Sequence, residues 1–290
     1  MDEIKLPLSV IIPTKNEGKN IARCLDSVAW ADQCFVVDSR SSDGTCEIAE
    51  KKGAVITQLV YDDGWPKKKN WALDNLPFKH EWVLILDADE TLPKEAKDEI
   101  REIIQDQSLT HVGYWINRRY FFLGKQLNHA YFPNWNLRLF KHRIGRYEKL
   151  TDIHTNSGDN EIHEHIVVKG TTGRLKSIMN HYAFPTIESF VEKHNRYSNW
   201  EAVVDQDSEY PLSKLQNNQV NARRRLKRLF KLMPFRPTLR FLYVYILQKG
   251  FLDGWAGYIF ARLHGQYEFL SISKSREYNI RKNQDAPDNL

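Results

Sequence analysis

Four short apolar runs, each separated from the next by a stretch of helical periodicity, constrain this chain more than any other feature. Leu8 to Ile12 is ended by Pro13, Cys34 to Val37 ends at Asp38, Ala54 to Leu59 follows, and Trp82 to Leu86 ends at Asp87. Between them, Asn20 to Ala31 places Ile21, Cys24, Leu25 and Val28 on one helical face. Thr45 to Lys52 stops at Gly53, and a third helix is expected near Lys68 to Asn75. Strands joined by helices in this way specify an α/β fold with a mostly parallel sheet flanked by helices. Ligands of such sheets gather beyond the carboxyl ends of the strands, where Thr14 to Glu17, Asp38 and Asp87 to Glu90 stand. A length of 290 residues suits one catalytic domain with an appendage. The expected catalytic domain is 1–185, its aromatic, Gly-punctuated middle section adding strands and loops. From 186 to 290 the pattern turns helical, basic and amphipathic.

Three cysteines, Cys24, Cys34 and Cys46, with no CxxC spacing, argue against a disulfide framework or a zinc site and for a reducing compartment. The start MDEIKLPLSVIIP lacks the basic region and long apolar run of a secretory signal, and no run reaches the roughly 18 apolar residues of a spanning helix. A cytoplasmic protein is expected. The net charge of +5 is unevenly spread: from Lys214 to Lys249 every charged residue is basic. Ala222 to Leu263 combines Arg and Lys with Leu, Phe, Tyr and Trp, a composition that can lie in a headgroup plane, so an anionic membrane surface is the expected partner. An ordinary helical subdomain packed on the core is the alternative. A nucleic-acid-binding module would have to ignore the carboxylates of the first half, so no nucleic-acid partner is expected.

The sharpest chemical signal is WVLILDADE, Trp82 to Glu90, an apolar strand delivering Asp87 and Asp89. A hard divalent cation takes oxygen ligands and is commonly shared between one or two carboxylates and substrate phosphates. Alternatively, Asp89 and Glu90 begin the following helix. Asp38 and Asp43 have a bland reading as turn formers, and Lys67, Lys68 and Lys69 as a solvated helix face. In GDNEIHEHI, Asp159, Glu161 and Glu164 alternate with His163 and His165, but without the H-E-x-x-H spacing of a zinc helix.

Together PTKNEG, VVDSRSSDGT, KKKNWAL and LDADE resemble the family 2 glycosyltransferases, strongly over residues 6 to 100. The resemblance implies a GT-A fold and a nucleotide-diphosphate sugar donor, with Asp38 holding the base, Asp87 near the ribose and Asp89 on Mn²⁺ or Mg²⁺. Pro13 and Glu17 join the donor set, and Lys69 lies near the donor phosphates. Inverting transfer requires a carboxylate that deprotonates the acceptor hydroxyl. The His-Glu element resembles that of a family branch including lipopolysaccharide core glucosyltransferases, which selects Glu164, with Glu161 and Asp159 behind it. His181 in MNHYAF matches a family histidine at the metal or diphosphate, a satisfied structural histidine being equally open. RRYFFLGKQL and FPNWNLRLFK resemble segments lining the acceptor groove, with Trp135 stacking on a sugar. Arg138 is left open between diphosphate and a structural carboxylate; His163 and Glu161 complete the acceptor side. Asn134 stands where many relatives have an aspartate, which puts an acid role there in doubt. PFRP, RFLYVYIL and GFLDG extend the resemblance into the tail. The implied activity is inverting transfer to a glycan or lipid-linked acceptor in cell-envelope polysaccharide or lipopolysaccharide synthesis, at the inner face of the membrane. A sugar nucleotidyltransferase is the enzyme rival, but PTKNEG does not offer its Gly-rich loop after the first strand.

Overall fold

The computed structural model describes residues 4–61, 65–106, 108, 110–149, 164–204, 233 and 235–284. These fall into two compact units. The first comprises the chain up to Phe121, Pro133–Glu148 and the stretch from 164 to Ala183; the second, Phe122–Phe132 and the chain from Phe184 onward.

The first unit is built on a mixed sheet. β1 (Leu6–Thr14), β2 (Ala31–Asp38), β3 (Val55–Gln58) and β4 (Trp82–Ile85) are its parallel half, in spatial order β3-β2-β1-β4. Helices α1 (Ile21–Ser27), α2 (Thr45–Lys51) and α3 (Lys68–Asn75) provide the crossovers, and α4 (Glu95–Gln105) follows. Val10, Ile11 and Ile12 of the central β1 are wholly buried, as a strand covered on both faces requires.

Beyond β4 the sheet becomes antiparallel. The middle section supplies β6 (Gly113–Phe122), β8 (Trp135–Lys141) and β11 (Thr172–Phe184), and the order continues β4-β8-β6-β11-β5, where β5 is only Glu90–Thr91. The short pairs are β7 (Lys125–Gln126) on β6, and β9 (Gly145–Tyr147) with β10 (Ile166–Val168) in a small second sheet.

Two expectations are corrected. Pro13 does not end the first strand, which runs to Thr14 and pairs Pro13 with Val37. Pro13 shares the orientation of Ile11, whose carbonyl is met by the Leu86 N–H, and β4 stops pairing there, so the missing proline N–H falls where no acceptor is lost. Asp89 and Glu90 do not open a helix. The Glu90 N–H donates to the Asp87 carbonyl at 2.8 Å in a tight turn, Glu90 enters β5, and α4 starts at Glu95.

The second unit contains α5 (Ile187–Val204), α6 (Arg236–Leu242), a π-helical turn over Tyr243–Leu247, a 3₁₀ turn over Gly250–Asp253, and α7 (Gly254–Gln284). Phe122, Phe184, Phe190 and Phe260 make its aromatic core. The Asp253 side chain, 2 % exposed, accepts the N–H groups of Asn128, His129 and Ala130.

Candidate active site

The carboxyl ends of β1, β2 and β4 form one rim, and the first turn of α3 is buried against it. Lys67, Lys68, Lys69 and Asn70 are all buried, so they are not a solvated helix face. Each side chain binds a different element. Lys67 Nζ lies 2.7 Å from Glu164 Oε1, Lys68 Nζ donates to the Thr14 carbonyl at 2.6 Å, and Lys69 Nζ lies 2.8 Å from Asp87 Oδ1. Asn70 and Tyr147 exchange two hydrogen bonds of 2.8 Å, locking α3 to β9. Charges this deep are tolerated because each is paired or hydrogen-bonded.

Asp87 is held by two cations. Besides Lys69, Arg138 Nη2 lies 2.8 Å from Asp87 Oδ2 and 2.8 Å from Glu90 Oε1. Glu90 is fully buried; it also receives Arg118 Nη1 at 3.1 Å and the Asp87 N–H at 2.9 Å. Burial pushes the Asp87 carboxyl up, but Arg138 and then Lys69 outweigh it and hold the group well below the usual carboxylate range. Of the two possibilities left for Arg138, the structure shows the carboxylate partner. Glu90 and Arg118 were not singled out in the sequence, where Glu90 looked like a helix start.

Asp89 points elsewhere. Its Oδ1 is 3.2 Å from His181 Nε2, because β5 pairs with β11 and sets Glu90 opposite His181. The Tyr182 N–H donates to the Asp89 carbonyl at 2.8 Å. A separation of about 3 Å is what two adjacent ligands on an octahedral ion with bonds near 2.1 Å take, so the pair fits Mn²⁺ or Mg²⁺ with phosphate oxygens and water completing the shell. His181 Nδ1 is buried with no hydrogen-bond partner among the described residues, whereas metal-bound imidazoles usually donate from that side. Asp89 is therefore the stronger candidate ligand and His181 the weaker. No set of three or more metal-ligating side chains converges among the described residues.

The end of β2 is organised differently. Asp38 is buried and accepts hydrogen bonds from Thr14 Oγ1 at 2.8 Å, Ser41 N at 2.8 Å, Ser41 Oγ at 2.5 Å and Gln58 Nε2 at 3.2 Å. Burial raises its pKa, but the bonds from Ser41, Thr14 and Cys46 bring it below the usual value. In the loop after β1, the N–H groups of Asn16, Glu17 and Gly18 donate to Ser41 Oγ, Thr45 Oγ1 and Asp43 Oδ2. Those donors are already used, so the loop is not the open phosphate cradle of a nucleotidyltransferase. The Glu17 carbonyl accepts the Ile21 N–H at the start of α1, and its carboxylate accepts Asn20 Nδ2 at 2.8 Å.

Of the residues expected on the acceptor side, Trp135 is half-buried, with the Arg174 guanidinium 4.8 Å from its ring centroid. The Asn134 N–H donates to Asn117 Oδ1 at 2.8 Å, tying the start of β8 to β6. Asp159, Glu161 and His163 lie outside the described residues.

A parallel half-sheet with an acidic turn after β4, continued by antiparallel strands, is the architecture of a GT-A glycosyltransferase. The sequence model of glycosyl transferase family 2 matches residues 9–164, more than half of the chain, and the chain belongs to that family. It is 28% identical over 288 residues to a lipopolysaccharide core biosynthesis glycosyltransferase of Rhizobium meliloti, covering 93% of this chain and 92% of that one. An uncharacterised glycosyltransferase of Rickettsia typhi is 27% identical, with 97% and 91% covered. Among solved structures, a mannosyltransferase of Pyrobaculum calidifontis in complex with GDP-Man and Mn²⁺ overlaps with a TM-score of 0.48 at 14% identity, covering 94% of this chain and 87% of that one.

Proposed function

We propose that this glycosyltransferase moves a sugar, with inversion, from a nucleotide-diphosphate donor to a glycan or lipid-linked acceptor in lipopolysaccharide or related cell-envelope polysaccharide synthesis. It does so in the cytoplasm, at the inner face of a membrane. The observation that carries the reading is the Asp87–Asp89 turn. Two residues apart, one carboxylate is neutralised by Lys69 and Arg138 while the other faces His181 at the carboxyl end of β4.

In this reading Asp89, with His181 beside it, holds Mn²⁺ or Mg²⁺. The ion, when bound, supplies positive charge for the departing diphosphate. Asp87, fixed by two cations, is oriented towards the donor ribose, and Lys69 brings positive charge to the phosphates. The rim of β1 and β2, with Pro13, Glu17 and Asp38, shapes the nucleoside end. Glu164, oriented through Oε1 by Lys67, takes the proton from the acceptor hydroxyl. Trp135, with Glu161 and His163, is assigned to the acceptor side, while Arg138 is spent on Asp87 and Glu90.

Replacing Glu164 with Gln is expected to lower kcat by about 10² to 10⁴ while leaving donor affinity in place. Transfer at the wild-type rate would remove Glu164 from that role. Asp89→Ala is expected to abolish metal-dependent donor binding in calorimetry; unchanged affinity would contradict the assignment. A thermal-shift screen of UDP-, GDP- and dTDP-sugars with Mn²⁺ identifies the donor, since a ligand of the folded state alone raises Tm. NMR of the product anomer then tests inversion.

A further inference from the structure

The second unit ends in a helical hairpin whose tip is apolar and exposed. Leu247 is 74 % exposed, Leu252 56 % and Trp255 52 %, and Ile246, Phe251 and Tyr258 are exposed beside them. The surface is continuous, because Tyr245 bridges its two arms. Its ring lies 5.3 Å from that of Phe241, 6.2 Å from Phe251 and 5.6 Å from Tyr258. The tip is also built rigidly. The backbones at Gly250 and Gly257 approach so closely that a Cβ at Gly257 would collide with the Gly250 carbonyl oxygen. Asp253, inside the turn, is tied to the N–H groups of residues 128–130.

Along the chain the charge at this tip has one sign: between Leu242 and Arg262 the only acidic residue is Asp253, and its side chain is buried, while Glu268, beyond the tip, pairs with Arg236 and Arg240. Lys249 is exposed at the turn, Lys125 Nζ lies 5.6 Å from the Trp255 ring centroid, and the exposed Arg262 carries its guanidinium 5.5 Å from that of Phe241. A large apolar patch on a soluble protein marks a contact surface. A second copy docked symmetrically would bring two sets of cations, and no exposed acidic residue of the tip, into one interface. Aliphatic side chains at the tip, Tyr and Trp at its margin and cations at its rim match the layers of an anionic bilayer interface: acyl boundary, glycerol level and headgroup phosphates.

We propose that the hairpin tip, Leu242 to Tyr258, inserts into the interfacial layer of an anionic phospholipid bilayer, so that the protein is held by apolar insertion and not by charge alone. This rests on the membrane-surface reading above and gives it a place in the fold and a mode. Among the described residues no helix is long and apolar enough to cross a membrane.

The test is co-sedimentation of the full chain, without sugar donor, with phosphatidylcholine vesicles with and without phosphatidylglycerol, at about 0.1 M and about 1 M salt. Partition onto phosphatidylglycerol vesicles is expected to persist at the higher salt. Leu247→Ser, Leu252→Ser and Trp255→Ser combined should lower it at least about tenfold at both salts. Each substitution alone, at a side chain already more than half exposed, should lower it about threefold with Tm unchanged. Complete release of the wild-type protein at high salt would overturn the proposal, as would single variants that all bind like the wild type. So would a dimer, seen by sedimentation equilibrium, that the same variants split while no vesicle binding occurs. Transfer to a water-soluble acceptor, assayed in parallel, separates the two failures: lost anchoring leaves it intact, and absent transfer leaves vesicle binding to stand.

Discussion

The ends of β2 and β4 occupy the same rim and each carries an aspartate, yet they are stabilised by different physics. At the end of β2, Asp38 is surrounded by neutral donors from Ser41, Thr14 and Gln58, local in sequence or one strand away. At the end of β4, Asp87 sits in a chain of ions, Lys69–Asp87–Arg138–Glu90–Arg118, gathered from α3, the turn, β8 and β6. Removing one member of the first group leaves neighbours that water or a rotated hydroxyl satisfies. Removing one member of the second strands a buried charge. The difference predicts that the two aspartates, in similar positions, tolerate substitution differently.

The largest expected effect tests that contrast directly. Arg138→Met leaves fully buried Glu90 without its 2.8 Å partner and Asp87 with one cation, and should cost about 3–5 kcal/mol in urea unfolding. Arg138→Lys should recover only part, because one ammonium does not reproduce the guanidinium fork. A Met variant within about 1 kcal/mol of wild type would show that the ion chain does not hold the rim together.

The next effect probes the β2 side through its backbone. A Cβ at Gly18 would meet the Asp43 carbonyl oxygen at 2.7 Å, and that oxygen belongs to a loop also held by the Gly18 N–H and Thr45. Gly18→Ala should therefore destabilise by about 1–3 kcal/mol, as overpacking does. Unfolding at the wild-type midpoint would mean that the loop moves freely enough to accommodate it.

Acid separates the two strand ends by pH. Both carboxyls are depressed in the folded state, Asp87 further than Asp38. A depressed folded pKa contributes stability that is present above the unfolded value near 3.9 and is lost as pH falls through the folded one. Stability should therefore decline below about pH 4, with the Asp38 share lost first and the Asp87 share continuing to fall at lower pH. Urea midpoints measured downward from neutral pH should show a shallower acid limb in Asp38→Asn and a shallower one still in Asp87→Asn. Acid limbs indistinguishable from wild type in both variants would show that neither carboxyl carries the linkage.

How much of this was readable in the chain depends on whether the interaction is local. The parallel half announced itself because β-branched runs and helical spacing are local patterns; even so, Pro13 misled, since only the neighbouring strand's end reveals that its missing N–H costs nothing. Asp87 and Asp89 stood out through their motif, and Asp43 as a turn former was correct at its own loop. For Lys67 to Lys69 a solvated face stays open in the sequence beside a phosphate role for Lys69, because nothing adjacent to them names Glu164, Thr14 or Asp87 as partners 97, 54 and 18 residues away. Glu90 hid behind a plausible helix start, and its pairing with β11, which sets His181 beside Asp89, is a contact between a two-residue strand and a segment about ninety residues on. The apolar tip was visible as composition, but its exposure was not, since the same residues would serve equally well in a packed core.

The smallest effect is the most discriminating for Asp38. Ser41 supplies two of its hydrogen bonds, one from the hydroxyl at 2.5 Å and one from the backbone at 2.8 Å. Ser41→Ala removes only the first, and the carboxylate keeps Thr14 Oγ1 on the same oxygen. The expected cost is about 0.5–1.5 kcal/mol, the worth of one hydrogen bond. If Asp38 serves the loop alone, the variant shifts the urea midpoint and leaves donor KM unchanged. If the carboxylate also receives the nucleotide base, the freed lone pair and altered orientation change KM for the donor while kcat holds. Measuring both in the same variant tells a turn former from a base-binding residue, which is the distinction the two strand ends pose.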